Sequence, residues 1–506
     1  MTRKRRLVAA ATFSGFVVVA FFAFNGVVSS YAVSLLMAHG GTDGRLAARA
    51  LATLFPAPYV PDSATLMARS TVDYAQGIWR DDYAAGFGAP PVFYLPSDKA
   101  CSLNGGNGDN GSQVKSSNGS CWVARLESAP HDVRIWGASP GSADSNAAIT
   151  AALAAGPVTG SSLTYGVSGS ISLPPGTDLS NITLTQLSAG SNTRTLFASS
   201  GDTIRLKRVK VNMNAAGNVG RVGKSAGIYI ANVAFPRLGD VEVYGGGVGF
   251  GIAVTDCKRA EVVNPYVHDM QWQADVDPLT EQIFGIVFIR CSNVTVVNPR
   301  IYNLTGVIGA NPPRAYQTDG MGFGGVTHAT VKGGTIDTVG EGTDTFSSLL
   351  TTDLWLYGTV YRNIDSHAVK FGSIRHSGTV GIRCYDAGLD CVTTGANSTT
   401  PPGYGAAHIR FTDTQAFDTG SNGLWGNPTG FTLNYDGTPG VQPVDIQCID
   451  CKAIDTKGRM KFGFLADPGT TFILTNPFAA GYTAAAFHRD KQDAELPAAQ
   501  SPAENQ

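Results

Sequence analysis

Charge is scarce in this chain. Only 15% of its 506 residues are Asp, Glu, Lys or Arg, and 37 basic residues against 39 acidic ones leave a formal net charge of -2. Such a balance supplies no basic field to draw in a nucleic acid, so no nucleic-acid partner is expected. Long apolar stripes at helical spacing are also lacking. β-Branched residues arrive in short bursts, which argues against a helical bundle and for many short strands with tight turns. No histidine stands at finger-like spacing beside Cys448-x-x-Cys451, and no βαβ setting surrounds that pair. Neither a metal site nor a thioredoxin-type redox centre is expected, and no cofactor is called for.

What is abundant is glycine, at 61 residues, together with Ser, Thr and Asn. A chain this long makes two or three ordinary domains unless a repeat architecture extends one core along an axis. Arg3, Lys4, Arg5 and Arg6 precede an almost uninterrupted apolar stretch from Leu7 to Ala38. Positive charge stays cytoplasmic, so the chain beyond this stretch is expected to be exported. The stretch is long enough to span a bilayer core of about 30 Å, and Ser30-Tyr31-Ala32 offers a small-residue cleavage site. The expectation is a membrane anchor facing the periplasm, or a secreted protein if the segment is cleaved. Eight cysteines, an even number, fit an oxidising compartment and structural bridges.

Four regions are expected: a signal anchor or signal peptide at 1–41, a periplasmic spacer or accessory region at 42–130, a β-solenoid at 131–486 and a polar tail at 487–506. The second region lacks the strand pattern of the third. It carries helix-like pieces from Arg45 to Leu51 and from Ser63 to Gln76, and a Gly/Asn/Ser-rich loop from Leu103 to Ser120 between Cys101 and Cys121.

The texture changes at Val133-Arg134-Ile135-Trp136-Gly137-Ala138, which reads as a strand. Asp144 or Ser145 can then cap a short helix to Ala155 with Ile149, Ala152 and Leu153 on one face, and Pro174-Pro175-Gly176 forms a turn. This run of about 45 residues resembles the opening of the pectate-lyase-like right-handed parallel β-helix superfamily, where a strand, a short helix and a P-P-G turn cap the first coil. The resemblance implies an all-β, right-handed parallel β-helix.

After about residue 200 one phrase recurs, a short alternating strand, an Asn or Asp turn and a second strand beginning near Gly-Ile. It is read at Asp240–Val243, Arg259–Val263, Asn293–Val297, His328–Val331, Asp353–Leu356, His408–Phe411 and Val444–Gln447, with one gap of two rungs before His408. An antiparallel sandwich would need hairpin turns at much shorter spacing. Asp269, Asn303, Asp337, Asn363, Asp386, Asp418 and Asp455 are expected to form a turn column. Cys257 and Cys291 each lie six residues after a glycine that opens a second strand. Stacking makes them neighbours about 4.8 Å apart, either bridged or, as the preferred reading, a buried thiol ladder.

Aligning the second strands puts Asp319, Asp344, His367 and Asp390 at steps of 25, 23 and 23 residues, a ladder on one wall with Glu341 and Lys370 nearby. Carboxylates so close cannot all ionise, and a raised pKa is what a general acid needs. A row of carboxylates interrupted by a histidine suits hydrolysis of a glycosidic bond. The same residues resemble the polygalacturonase family of glycoside hydrolases, whose N-T-D, G-D-D and G-H-G elements are matched by Gln317-Thr318-Asp319-Gly320, Gly342-Thr343-Asp344 and Ser366-His367-Ala368. The resemblance implies acid and water-activating roles for Asp319 and Asp344, with His367 in support. Thr343 stands where that family has an Asp, and its basic R-I-K element is not found, which favours a neutral or mixed polysaccharide. Trp272, Trp355 and Trp425 are candidate sugar platforms. The function expected is that of an exported glycoside hydrolase acting on an envelope or exopolysaccharide. Its alternatives are a lyase or uronate epimerase using Lys370 or Arg383, and a non-catalytic carbohydrate-binding subunit of a polysaccharide export system.

Overall fold

The computed structural model describes residues 57–126, 129–188, 193–215, 225–271, 282–305, 318–346, 348–396, 400–421, 427–435, 438, 440–470 and 472–489. The apolar N-terminal segment, Arg45–Leu51, Trp272, Gln317, Trp425 and the tail beyond 489 lie outside these residues. Among the described residues no helix is long and apolar enough to cross a membrane. The chain divides into two compact units after Gly137.

In the first unit, where the sequence shows no strand pattern, five strands form a sheet in the order Tyr59–Val60, Ile78–Arg80, Val92–Ser97, Cys121–Ala124, Gln113–Lys115. They are too short, at two to six residues, to display a period. The helix expected from Ser63 to Gln76 stops at Met67. It is capped by Asp62, whose Oδ1 accepts from Thr65 N at 2.7 Å, and Ser70 then starts a separate 3-10 turn at Thr71–Asp73. Arg80 is fully buried and donates to Ser63 Oγ and to the carbonyls of Asn110 and Ile135. The Leu103–Ser120 loop is closed by a Cys101–Cys121 disulfide. Within it Asp109 accepts from Gly111 N, Gln113 N, Ser112 Oγ and Trp136 Nε1. Val133–Trp136, expected as a strand, is a 3-10 helix, because Asp132 takes the Arg134 N–H as an N-cap and Gly137 ends the turn at φ 93°.

The second unit opens with the helix Asn146–Ala155, which buries Ile149, Ala152 and Leu153. Asp144 accepts from Asn146 N at 3.0 Å, whereas Ser145 Oγ is engaged with Ser139. From there the chain winds as a parallel β-helix, each rung crossing three walls. We call these A (for example Ser292–Val297, Thr327–Lys332, Thr351–Tyr357), B (Arg300–Thr305, Thr335–Val339, Val360–Ile364) and C (Thr318–Gly324, Glu341–Thr345, Val369–Phe371). Each strand pairs in parallel with its counterpart one rung on, and the C wall is a continuous 12-stranded sheet. Six of the seven recurring phrases are A-wall strands, and Asp240–Val243 falls on the B wall. The two-rung gap is filled by Ile374–Val380.

Stacking builds the core that one rung cannot. Ile228, Ile252, Ile286 and Met321 are paired in succession and fully buried, each worth about 1.5–3 kcal/mol of burial. Toward the C-terminal end the same column is aromatic, with Phe431 on Phe464 and Phe464 on Phe487 at 4.9 and 5.2 Å between centroids.

Corners are turned by single left-handed residues. Between the A and B walls these are Asn181, Arg208, Asp240, Asn264, Asn298, Gly333, Gly358, Gly381, Asp413, Asp450 and Asn476, with φ between 44° and 67°. Asn and Asp tolerate this conformation because their short polar side chains bond locally. Of the expected turn column, Asp269, Asn303, Asn363, Asp386 and Asp418 are left-handed. Thr338 takes the corner in place of Asp337, and Asp455 has no positive φ.

All eight cysteines are paired. Cys257 and Cys291 form a disulfide between successive rungs, so the preferred thiol ladder is corrected to a bridge. The remaining bridges, Cys384–Cys391 and Cys448–Cys451, are local. Replacing both Cys257 and Cys291 by Ala is expected to cost about 3–4 kcal/mol, the loop entropy for a 34-residue separation. A denaturant midpoint that does not fall would contradict this.

Candidate active site

On the C wall two columns of side chains face outward. Phe284 pairs with Asp319, Asp319 with Glu341, and Asp390 with Thr429. Between them the N–H of Gly342 donates to the His367 carbonyl and that of Ala368 to the Asp390 carbonyl, carrying the column through His367. The second column runs Val287, Gly322, Asp344, Lys370, Thr393, Thr432.

The expected ladder is therefore corrected at one place. Asp344 stands opposite Gly322, one column over, and Glu341 takes the position next to Asp319. The cause lies at Phe346, which the apolar pattern places inside. It packs outside instead, 5.4 Å from Phe284 between centroids, over Gly322, where a Cβ would meet the Phe284 ring at 2.8 Å. The inward seat goes to Thr343, fully buried, with its Oγ1 2.9 Å from Tyr361 Oη. Thr343 is thus a core residue and not a vacated active-site position.

Electrostatics follow from this packing. Lys370 Nζ donates to Glu341 Oε2 at 3.0 Å and Oε1 at 3.2 Å, and lies 3.8 Å from Asp344 Oδ1. Asp319, 2% exposed, is pushed well above the usual carboxylate range by burial and then by Glu341 and Asp344. Asp344, with its side chain 13% exposed, is pushed up to about 6 by burial, against the pull of Lys370 and His367. Burial alone would lower Lys370, but Asp344, Glu341 and Asp319 outweigh it and hold the ammonium above the ordinary lysine range. Asp319 Oδ1 and Asp344 Oδ1 have no hydrogen-bond partner among the described residues.

His367 Nδ1 lies 3.1 Å from Asp390 Oδ2, at ion-pair distance but not aligned as a hydrogen bond. The other oxygen of Asp390 accepts from Thr429 N at 3.2 Å and Oγ1 at 2.6 Å. Glu341, His367 and Asp390 open onto a groove of about 500 Å³, continued by Asn427, Thr432, Asn434 and Asp467. Sequence reasoning does not reach Thr429 and this extension, because the rung that runs through Ala407–Thr412 and Gln415–Phe417 puts Thr429 39 residues after Asp390, out of step with the spacing of the earlier rungs. Trp355 is not at this site. It lies on the A wall between Thr330 and Gly378, its ring against Gly378. Arg383 is on the B wall, paired with Asp413 at 3.4 Å.

Asp319, Glu341 and Asp344 bring carboxylate oxygens within 4.8 Å of one another, the one such group found among the described residues. The Lys370 ammonium already stands among them, as a cation would, so the set does not fit a resident metal.

These shifts make stability depend on pH. The unfolded chain releases protons near 3.8, whereas folded Asp344 holds its own to about 6. Asp365, pushed up to about 6 by burial, does the same. The contribution of the neutral forms is complete below about pH 4 and is lost as pH rises through about 6. The melting temperature is expected to fall across that window, and to fall less in Asp344→Asn. Equal slopes in the two proteins would contradict the assignment.

No protein-family model matches the chain, and no curated protein matches it. Among solved structures, the A-module of a mannuronan C-5 epimerase from Azotobacter vinelandii aligns over 71% of this chain and 97% of its own, at 14% identity and a TM-score of 0.44. WceF of Pantoea stewartii, a glycan biofilm modifying enzyme with a tailspike-like parallel β-helix, aligns over 65% of this chain and 48% of its own, at 12% identity and a TM-score of 0.44. Endo-xylogalacturonan hydrolase from Aspergillus tubingensis aligns over 70% and 94%, at 12% identity and a TM-score of 0.40. The fold assignment rests on the strand pairing itself.

Proposed function

We propose that this protein is an exported glycoside hydrolase that cleaves a polysaccharide by carboxylate general acid and base catalysis on the outer face of its C wall. The observation that carries the reading is the column Asp319, Glu341, His367, Asp390 on successive rungs, flanked by Asp344 and Lys370 and open to a groove. Asp344 holds its proton up to about pH 6 and serves as the acid to the leaving oxygen. Asp390, oriented by Thr429 and paired with His367, directs water. Asp344 and Asp390 stand two rungs, about 10 Å along the axis, and one column apart, wider than the about 5 Å of a retaining pair, which leaves room for that water and favours inversion at the anomeric carbon. Glu341 and Lys370 form the ion pair between them, and Asp319 stands behind it, its carboxyl pushed well above the usual range by burial.

Export is supported by the basic and apolar N-terminal segment and by four disulfides. An anchor would hold the enzyme at the membrane, facing the periplasm. The sugar bound at the groove is neutral in this reading, since among the described residues the groove lining carries three carboxylates and neither Lys nor Arg. The full chain, incubated with a panel of bacterial exopolysaccharides and pectins, is expected to release reducing ends without ultraviolet absorbance, the first-formed product being inverted by NMR. An absorbing product would replace this reading with β-elimination. Binding without any product would leave a carbohydrate-binding subunit.

A further inference from the structure

The A/B corner column contains one residue out of keeping with the rest. All its other members between Asn181 and Asn476 are Asn, Asp or Gly, but one rung turns on Arg208, at φ 52°. A long side chain gains nothing from the left-handed region, so an arginine kept there points to a use for its head group. Its Nε donates to Asn181 Oδ1 at 2.5 Å, and no carboxylate pairs with it among the described residues. Arg208 opens onto a groove of about 360 Å³ along the first rungs, away from the C-wall column.

At the far end of that groove stands Arg300, three rungs on, its guanidinium 4.5 Å from the centre of the Tyr266 ring and again without a carboxylate partner among the described residues. Between the two, Lys210 and Glu242 cancel each other at 2.7 Å, and Asp240 accepts from the Asn264 amide at 2.9 Å. Among the described residues the charged lining is therefore Arg208, Lys210 and Arg300 against Asp240 and Glu242, positive in balance. Ser162, Asn181, Thr183 and Asn264 add neutral donors and acceptors around the guanidinia.

We infer that this groove is a second glycan-binding site, which takes carboxylate-bearing sugar units of an acidic polysaccharide. Guanidinium forks match carboxylates in two-bond geometry, and the interspersed amides and hydroxyls suit the ring hydroxyls of the same sugar. A phosphate ligand would instead call for a helix N-terminus or a nest of backbone N–H groups, and the lining is built from strands and their corners. The site stands apart from the proposed hydrolase centre and does not depend on it. It would hold an acidic polymer on one side of the solenoid while the C wall meets neutral units.

The test is equilibrium binding of galacturonate oligomers to the full chain and to the double variant Arg208→Asn, Arg300→Gln, with neutral dextran oligomers and inorganic phosphate as comparisons. Asn restores the residue type the corner prefers, so Arg208→Asn alone should fold at least as stably as the parent, and lost binding cannot be ascribed to unfolding. Galacturonate oligomers are expected to bind, to weaken about ten-fold or more in the double variant, and to weaken with salt, while dextran does not bind. Unchanged binding in the double variant, or no binding by the parent, would overturn the inference. So would phosphate displacing the oligomer as well as free galacturonate does, since that would mark a simple anion site.

Discussion

Asp344→Asn is expected to lower kcat by about 10²–10⁴-fold while leaving the fold and polymer binding intact. The basis is positional as well as electrostatic. Asp344 is the partly exposed carboxyl of the C-wall cluster, and it is held up to about 6 by burial. The acid must be protonated to work, so kcat/KM of the parent falls as pH rises through about 6. Asp319→Asn is the contrast. That carboxyl is 2% exposed against 13% for the Asp344 side chain, and it lies one rung further from Asp390, so its neutral isostere should keep activity within several-fold. Should Asp319→Asn prove as damaging as Asp344→Asn, the roles of the two would have to be exchanged. Rates across pH on a cleaved polymer, for the parent and both variants, decide between these outcomes.

The second large effect is expected at Lys370. Its ammonium is the countercharge to Glu341 and Asp344, and Lys370→Met leaves those carboxylates to face one another. Removing one partner of a buried pair commonly costs about 3–5 kcal/mol. Here the lysine side chain is 33% exposed, so about 2–3 kcal/mol is expected after allowing for solvent screening. The carboxyls answer by holding their protons more tightly, so the alkaline limb of the kcat/KM profile moves to higher pH. Adding Glu341→Gln should return part of the stability, because it removes the charge that Lys370 had balanced. A double variant no more stable than Lys370→Met alone would show that the lysine acts by packing and not by charge.

Several features are legible from sequence for reasons that can be named. Spacing alone places Ile149, Ala152 and Leu153 on the buried face of their helix, and Cys257 and Cys291 become neighbours once their glycines are aligned. Five of the turn residues from Asp269 to Asp418 occupy left-handed corners because Asp and Asn are the residues such corners select. The failures share a different cause. Spacing puts Asp344 in line with Asp319 because Phe346, two residues on, looks like a core residue. The fold turns that ring outward onto Phe284 and gives the inner seat to Thr343, whose hydroxyl finds Tyr361. Polarity at single positions does not report which way a side chain points when a neighbouring rung can satisfy it. In the first unit the strands are so short that alternation never has room to show. Val133–Trp136 obeys its local cap, Asp132, and not its apolar content.

The bridge between Cys257 and Cys291 has a mechanical consequence. Each rung touches only its neighbours, so a solenoid pulled from its C-terminal end should peel one turn at a time, in small steps of similar length. Two successive turns riveted by a covalent link cannot separate in this way. Force should pass through the bridge to the turns before it, with the covalently looped residues withheld from extension until the bond is reduced. The rivet lies on the N-terminal side of Asp319, so the turns that carry the carboxylates peel before the bridge is reached, and reduction lengthens only the step that follows.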